Sequence, residues 1–205
     1  EDHNSDIHIS DISANPYASL KWNHINKPKN NLIKSNLIGR YNYSNIMAAV
    51  GFGILFGVPD ENINAAINNY TPKNMRSQYL STESNKLLID AYNANPTSMK
   101  AALQNFDVMN AAAKCMILGE MMELGIWAEQ EHEILVEQIN KMNIKEVFLV
   151  GDIFKTLSDT LLPSYKVFST TKELSSYLEK NPLSNKTILL KGSRGNKLES
   201  LIEKL

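Results

Sequence analysis

The sequence contains little cysteine and no excess of charge of either sign. Cys115 is the only cysteine among the 205 residues, so an internal disulfide framework is impossible and a reducing compartment is expected. Because Cys115 lies in the apolar run KCMILG, we expect it to be a small, buried hydrophobic side chain. The formal net charge of -1 gives no overall attraction to nucleic acid or to anionic lipid.

Long apolar runs and common catalytic motifs are absent as well. No uninterrupted apolar stretch approaches the ~20 residues of a membrane span, and the start, EDHNSD, is acidic and polar, so a cytoplasmic location is expected. The sequence has no Walker A loop, no CxxC pair, no GxSxG elbow and no HExxH motif. We therefore predict no catalytic residue and no metal ligand within this chain.

The stretch KLLIDAYNANPTS, residues 86–98, is the most informative part of the sequence. An apolar run ends in a carboxylate, passes through a turn without glycine, and leads into a helix. Asn95 suits the N-cap of this helix, and Pro96 suits its first position. A nicotinamide dehydrogenase would need glycines in such a turn, and this turn has none. In open α/β sheets in general, ligands bind at the carboxyl ends of the strands. The candidates for substrate contact are Asp90, Tyr92, Asn93 and Asn95.

Short β-like runs and helical patterns alternate after residue 73. Strands are expected at 77–82, 86–90, 114–118, 146–150, 165–168 and 186–190. Helices are expected at 96–109, 127–142, 153–160, 171–180 and 197–204. Alternation of this kind predicts an α/β fold with right-handed crossovers and a mostly parallel sheet. The run at 77–82 reaches the next strand by a short turn, which predicts an antiparallel edge strand.

The first 72 residues follow a different pattern. Residues 5–38 form short alternating runs, broken at NPY and at HINKPKNN, which predict a few antiparallel strands. Residues 42–56 are apolar on nearly every side, so we expect a helix buried within a domain, and a second helix begins at residue 60. This part is too small for an independent β domain. It is expected to belong to a larger α+β domain whose beginning is missing, with a boundary near Lys73.

Polar corners follow several of the predicted parallel strands. They are DAYNAN, GEMMELG, the GD pair at 151–152 and KGSRG, and together they predict a composite binding face. Lys191, Ser193 and Arg194 suit a carboxylate or a phosphate, although a solvated loop with a helix cap is an equal alternative. For Asp90 the alternative is a turn cap, and His132, on an apolar stripe, is more typical of a packed core residue than of a ligand or base.

Several of these motifs, in this order, resemble the C-terminal part of the Mur ligase family. They are RSQ, DAYNANPTSMKAAL, LGEMMELG with a later histidine, and KGSRG. The resemblance covers nearly the whole chain. It implies that residues 1–72 are the tail of the family's central ATPase domain and that residues 73–205 are its complete, Rossmann-like C-terminal domain. The family's P-loop and most of its Mg2+ ligands would then lie upstream of this chain.

The resemblance also implies roles for individual residues. GRYNYSN is similar to the family's GxHNxxN, so Asn42 and Asn45 would contact the nucleotide, whereas Tyr41 replaces the usual histidine and has no assigned role. Arg76 would reach ATP and Asp90 would bind its ribose. Tyr92, Asn93 and Asn95 would lie near ATP and the incoming amine. The loops expected to hold the acceptor contain Glu120, Glu123, Lys191, Ser193 and Arg194.

The implied reaction is the ATP- and Mg2+-dependent formation of an amide bond through an acyl phosphate. YNANPTSM and KGSRG resemble the branch that adds D-alanyl-D-alanine to UDP-N-acetylmuramoyl-tripeptide in peptidoglycan precursor synthesis. The chain alone, without a P-loop, is expected to be inactive. Two alternatives remain, namely an amide ligase from another branch of the superfamily and a non-catalytic α/β binding module.

Overall fold

The computed structural model describes residues 7–25, 30–111 and 113–205. The chain divides into two compact units, Glu1–Pro72 and Lys73–Leu205. Residues 5 and 6 of the first predicted strand, and residues 26–29 of the predicted break at HINKPKNN, lie outside the described residues. Of the helices in the described parts, none is long and apolar enough to cross a membrane.

The first unit has a three-stranded antiparallel sheet in the order β1-β2-β3 and two helices. The elements are β1 Ile7–Ala14, β2 Tyr17–His24, β3 Asn31–Ile38, α1 Asn42–Leu55 and α2 Asp60–Asn69. Alternate residues of β2 are buried and pack against both helices. Trp22, at the centre of this core, is fully buried and donates its indole N–H to Asn64 Oδ1 at 2.9 Å. The predicted antiparallel strands are therefore present.

The expectation that α1 is buried on nearly all sides is wrong for this unit. Only Asn42, Ile46 and Val50 are buried, and their spacing of four residues forms one narrow stripe along the helix. The apolar residues on the remaining faces are exposed, with Phe52 at 61% and Leu55 at 74%. A mostly apolar sequence does not by itself indicate how many faces of a helix are buried.

The second unit is built on a six-stranded sheet in the order β4-β5-β9-β6-β7-β8. The strands are β4 Gln78–Ser81, β5 Lys86–Asp90, β6 Lys114–Gly119, β7 Glu146–Val150, β8 Lys166–Phe168 and β9 Thr187–Lys191. β4 pairs with β5 in the antiparallel direction, and every other pair is parallel. This confirms the mostly parallel sheet with an antiparallel edge. β9, the last strand in the chain, lies between β5 and β6.

Four α-helices connect these strands: α3 Pro96–Val108, α4 Ala128–Asn140, α5 Ile153–Thr156 and α6 Thr171–Lys180. Two predicted helices differ from this. The 153–160 helix is only one turn of α-helix followed by a 3₁₀ turn at Ser158–Thr160, and the last one is a 3₁₀ helix at Leu198–Lys204. Leu198 and Leu201 are both buried, and their spacing of three residues fits the three residues per turn of a 3₁₀ helix.

Candidate functional site

An ion pair joins the ends of two central strands of the second unit. Asp90 and Lys191 are direct partners in the β5–β9 register, and Lys191 Nζ lies 2.7 Å from Asp90 Oδ2. The ammonium also donates to the Asn93 carbonyl at 3.2 Å, and the Lys191 side chain is only 1% exposed. Lys191 therefore fixes the corner after β5. The Asp90 side chain remains 20% exposed, so its carboxylate is accessible from solvent.

Two arginine side chains lie over the ring of Tyr92 in the same corner. Arg76 Cζ is 4.0 Å from the ring centroid and Arg194 Cζ is 5.4 Å from it, both within the ~6 Å range of cation–π contacts. Both arginines are exposed, and neither has an ion pair with any described residue. Two unpaired guanidinium groups beside one ring form a positively charged surface that suits an anionic ligand.

The GEMMELG and KGSRG loops are fastened to each other. The hydroxyl of Ser193 accepts from the Met122 amide at 2.9 Å, and the Ser193 amide donates to the Glu120 carbonyl at 3.4 Å. A Cβ atom at Gly192 would lie 3.0 Å from the Cα atom of Gly119, so a side chain there would push the two strand ends apart. Glycine at this position therefore favours the close approach of the ends of β9 and β6.

His132 on α4 holds the GEMMELG loop by a hydrogen bond. Its Nε2 accepts from the Met121 amide at 2.9 Å, and its Nδ1 lies 2.6 Å from the Ala128 carbonyl, to which it donates. This arrangement requires the neutral imidazole, and burial lowers the pKa of His132 below its ordinary value. The ring packs edge-on against Phe154 at 5.1 Å. His132 is therefore a buried residue whose ring holds the loop at Met121.

Of the other candidate residues, those with side-chain hydrogen bonds make them to residues three or four positions away in the chain. The Asn95 side chain accepts from the Ser98 amide at 2.8 Å and so caps α3, while the Asn93 side chain is exposed. Glu120 is half-buried, whereas Glu123 is exposed and adopts a positive φ of 72°. In the first unit, Asn42 donates to the Ile38 carbonyl at 2.7 Å and accepts from the exposed Asn45 at 2.9 Å.

Within residues 7–25, 30–111 and 113–205, no group of three or more His, Cys, Asp or Glu side chains is arranged to hold a metal ion.

Sequence reasoning missed two relationships in this site. It identified Lys191 as a candidate ligand but not as the partner of Asp90, which is 101 residues away in the chain. It placed Tyr92 near ATP but did not identify its contacts with two arginines. The Asp90–Lys191 pair and the Tyr92–Arg194 contact depend on β9 lying beside β5, and no local pattern in the sequence reveals that strand order.

The second unit is a Rossmann-like α/β domain with a positively charged surface where the parallel strands end. The family model described as "Mur ligase, glutamate ligase domain" matches residues 75–194 of this sequence. The chain belongs to the Mur ligase family.

Relatives with assigned functions are similar over most of the chain. The UDP-N-acetylmuramoyl-tripeptide--D-alanyl-D-alanine ligase of Bacillus subtilis is 32% identical over 176 residues, which cover 82% of this chain and 38% of that protein. The ligase of the same name from Buchnera aphidicola subsp. Baizongia pistaciae is 31% identical over 98% of this chain and 44% of its own length. This chain spans less than half the length of either relative.

A solved structure is also similar over nearly the whole chain. The fold superposes on a crystal structure of MurF from Acinetobacter baumannii with a TM-score of 0.85 at 25% sequence identity. The match covers 99% of this chain and 46% of the other. The similarity therefore extends over both compact units.

Proposed function

We propose that this chain is the C-terminal part of an ATP-dependent ligase that joins D-alanyl-D-alanine to UDP-N-acetylmuramoyl-tripeptide. The observation that carries the proposal is that Arg76, before β4, and Arg194, after β9, both lie over the ring of Tyr92, two residues after Asp90 at the end of β5. In a nucleotide, the ribose hydroxyls can donate hydrogen bonds to a carboxylate and the phosphates can accept them from a guanidinium. The carboxylate of the dipeptide can bind the second guanidinium. The similarity to the Bacillus and Buchnera ligases supports this choice of substrates.

The division of the chain supports a proposed domain assignment. Residues 1–72 would be the end of the central ATP-binding domain, and residues 73–205 would be the C-terminal domain. The first compact unit ends at Pro72 and the second begins at Lys73, and the family match begins at residue 75. The P-loop and the Mg2+ ligands would belong to other parts of the full-length protein. A cytoplasmic location remains a prediction from the sequence.

For the nucleotide, we assign ribose binding to Asp90 and phosphate binding to Arg76. Lys191 holds one carboxylate oxygen of Asp90, which leaves the other oxygen free to accept hydrogen bonds from ribose hydroxyls. The guanidinium of Arg76 is exposed and can donate several hydrogen bonds to a phosphate. Asn42 and Asn45 of the first unit remain candidates for the adenine end, and Asn45 is the more accessible of the two.

For the acceptor, Arg194 is a better carboxylate ligand than Lys191. The ammonium of Lys191 is almost inaccessible and already has two partners, whereas Arg194 is exposed. The Ser193 hydroxyl accepts one hydrogen bond from the Met122 amide and keeps its own proton to donate. Glu120, Glu123, Asn93 and Asn95 stay candidates for the walls of this site, although Asn95 already serves as a helix cap.

The proposed reaction needs positive charge and little water. The tripeptide carboxylate attacks the γ-phosphoryl group of ATP and displaces ADP. The dipeptide amine then attacks the resulting acyl phosphate and expels phosphate while losing a proton. Arg76 would stabilise the negative charge on the transferred phosphoryl group, while Arg194 would hold the dipeptide by its carboxylate. Closure of this domain over the nucleotide would exclude water from the acyl phosphate.

A substrate panel with the full-length protein tests the proposal. With ATP, Mg2+ and UDP-N-acetylmuramoyl-tripeptide, D-alanyl-D-alanine should yield the pentapeptide product, ADP and phosphate in equal amounts. Free D-alanine, D-glutamate and meso-diaminopimelate serve as competing acceptors. Preferential use of a single amino acid would assign the protein to another branch of the family, and failure with every acceptor would favour a binding module.

The acceptor assignment has its own test. Arg194→Ala should raise the KM for the dipeptide about ten- to a hundredfold, because a bond to a charged group is worth roughly 1.5 to 3 kcal/mol. The KM for ATP should change far less. Lys172→Ala, which removes another exposed cation of the same unit, is the matched control and should leave both constants unchanged. If the dipeptide amide is used as well as the free acid, Arg194 does not bind the carboxylate.

A further inference from the structure

The ring of Tyr92 contacts the two arginines that the proposed function assigns to different substrates. We propose that Tyr92 is a positioning residue that orients Arg76 for ATP and Arg194 for the dipeptide, so that one ring serves both binding sites. This inference rests on the proposed function and adds to it a physical link between the nucleotide and acceptor sites.

Three segments that are distant in the sequence supply the parts of this cluster. Arg76 precedes the edge strand β4, Tyr92 lies in the corner after β5, and Arg194 follows β9. The distances of 4.0 and 5.4 Å from Cζ to the ring centroid place both guanidinium groups in contact with the same ring. Tyr92 is half-buried, so the corner holds the ring while leaving part of it accessible.

The arginines need such a support because no other described residue holds their charged ends by an ion pair. A long, exposed arginine side chain loses rotamer freedom when it binds an anion, and that loss weakens binding. A planar ring that stacks with the guanidinium restricts these rotamers before the ligand arrives. The apolar face of the ring does this without neutralising the charge, as a carboxylate partner would. Both arginines therefore stay available for phosphate or carboxylate.

This arrangement predicts a kinetic pattern that differs from the loss of either ligand-binding arginine. Arg194→Ala acts on the dipeptide and Arg76→Ala acts on ATP. Removal of the ring should instead raise both KM values, each by about two- to fivefold, the size expected for an exposed cation–π contact. The kcat value should change little if saturating substrates restore the bound geometry. A general folding defect would lower the active fraction and hence kcat, without moving either KM.

The experiment compares the full-length protein with Tyr92→Leu, Tyr92→Gln and Tyr92→Phe, with Tyr70→Leu as a control at an exposed tyrosine of the first unit. Leu replaces the ring by an apolar side chain and Gln replaces it by a polar one. If one of these variants fails to fold, the other still tests the role of the ring. Both should raise the two KM values, and Phe, which keeps the ring, should restore most of the loss. In the double variant Tyr92→Leu with Arg194→Ala, the dipeptide KM should not exceed that of Arg194→Ala alone, while the ATP KM should still rise.

Each outcome has a distinct meaning. If the unmodified full-length protein forms no product, the proposed function fails. If it is active but Leu and Gln raise only one KM, or neither, the shared role of Tyr92 is wrong. If Phe is as impaired as Leu, the hydroxyl rather than the ring is responsible, and the proposed stacking role is also wrong.

Discussion

At the scale of single residues, the Asp90–Lys191 pair shows how the site is held in shape. A lysine ammonium that is almost fully buried must have partners, and it finds them in a carboxylate and a backbone carbonyl. The pair joins the corner after β5 to the corner after β9. It therefore sets the distance between the residues assigned to the nucleotide and those assigned to the acceptor.

Lys191→Met keeps the length of this side chain and removes its charge. We expect a loss of roughly 2 kcal/mol in the free energy of unfolding, less than the 3 to 5 kcal/mol for a fully buried pair, because Asp90 retains some solvent. Urea unfolding of the 205-residue chain measures this. Lys172→Met is the control, and the second change Asp90→Asn should recover part of the loss. An unchanged unfolding midpoint in Lys191→Met would contradict the role of the pair.

The sequence reveals these residues but not their relationships. Asp90 and Lys191 each end an apolar run, which is enough to predict that both lie where a strand ends. Their contact requires knowledge of which strands are neighbours, and Lys191 was accordingly predicted to face a ligand. Tyr92 was found by its position in a turn, while its contact with two arginines from distant segments could not be inferred from any spacing.

At the scale of elements, the start of α3 was the most predictable feature of the chain. Asn95 and Pro96 occupy the cap and first helical positions, as the local sequence indicates, because these preferences depend only on the backbone geometry of a helix start. The short helical pieces after β7 and β9 were less predictable. Segments of three to seven residues contain too few turns for a periodic pattern to distinguish α from 3₁₀ geometry.

Asn95→Ala should cost about 1 kcal/mol of stability, because it removes the acceptor for the Ser98 amide at the start of α3. Asn95→Ser retains a capping oxygen and should be nearly neutral. Thermal unfolding followed by circular dichroism would distinguish the two variants. If Asn95→Ala is as stable as the wild type but raises the KM for a substrate, Asn95 is a ligand contact and its cap is unimportant.

The loop that His132 supports should be sensitive to acid. The pKa of His132 is lowered by burial from 6.5, so below pH 6.5 the unfolded chain binds a proton that the folded chain resists. The folded state therefore loses stability as the pH falls through this range. Protonation of Nε2 would also break its bond to the Met121 amide.

The test compares unfolding midpoints at pH 7.5 and pH 5, together with hydrogen exchange of the Met121 amide. The wild-type chain should lose more stability on acidification than His132→Gln, which has no titrating ring. His8→Gln, at an exposed histidine of the first unit, is the control. Equal pH dependence in wild type and His132→Gln would show that another group is responsible.

At the scale of the whole molecule, the proposed activity requires parts that this sequence does not contain. No Walker A motif is present, so the β- and γ-phosphates of ATP have no loop of backbone amides to bind them. We expect the purified 205-residue chain to show no ATP-dependent ligation, whereas the full-length protein should be active. Addition of D-alanyl-D-alanine by the chain alone, in a preparation free of full-length enzyme, would contradict this expectation.

The alternation of strands and helices was enough to predict the class of this fold, because each amphipathic segment must bury one face against a sheet. The order of the strands was not predictable in the same way. Several orders would bury the same faces, and the choice among them depends on packing between segments that are far apart in the chain.

The central position of β9 affects how the protein is made. β5 and β6 are not hydrogen-bonded to each other, and each pairs with β9, which is synthesised after all the other strands. Until that segment leaves the ribosome, the second unit of the growing chain has two separate groups of strands, β4-β5 and β6-β7-β8. Each has unpaired backbone at its edge, which is the condition that favours aggregation. Chain termination shortly before residue 187 should therefore give an insoluble product rather than a smaller folded domain, and nascent chains of this length are expected to need chaperones.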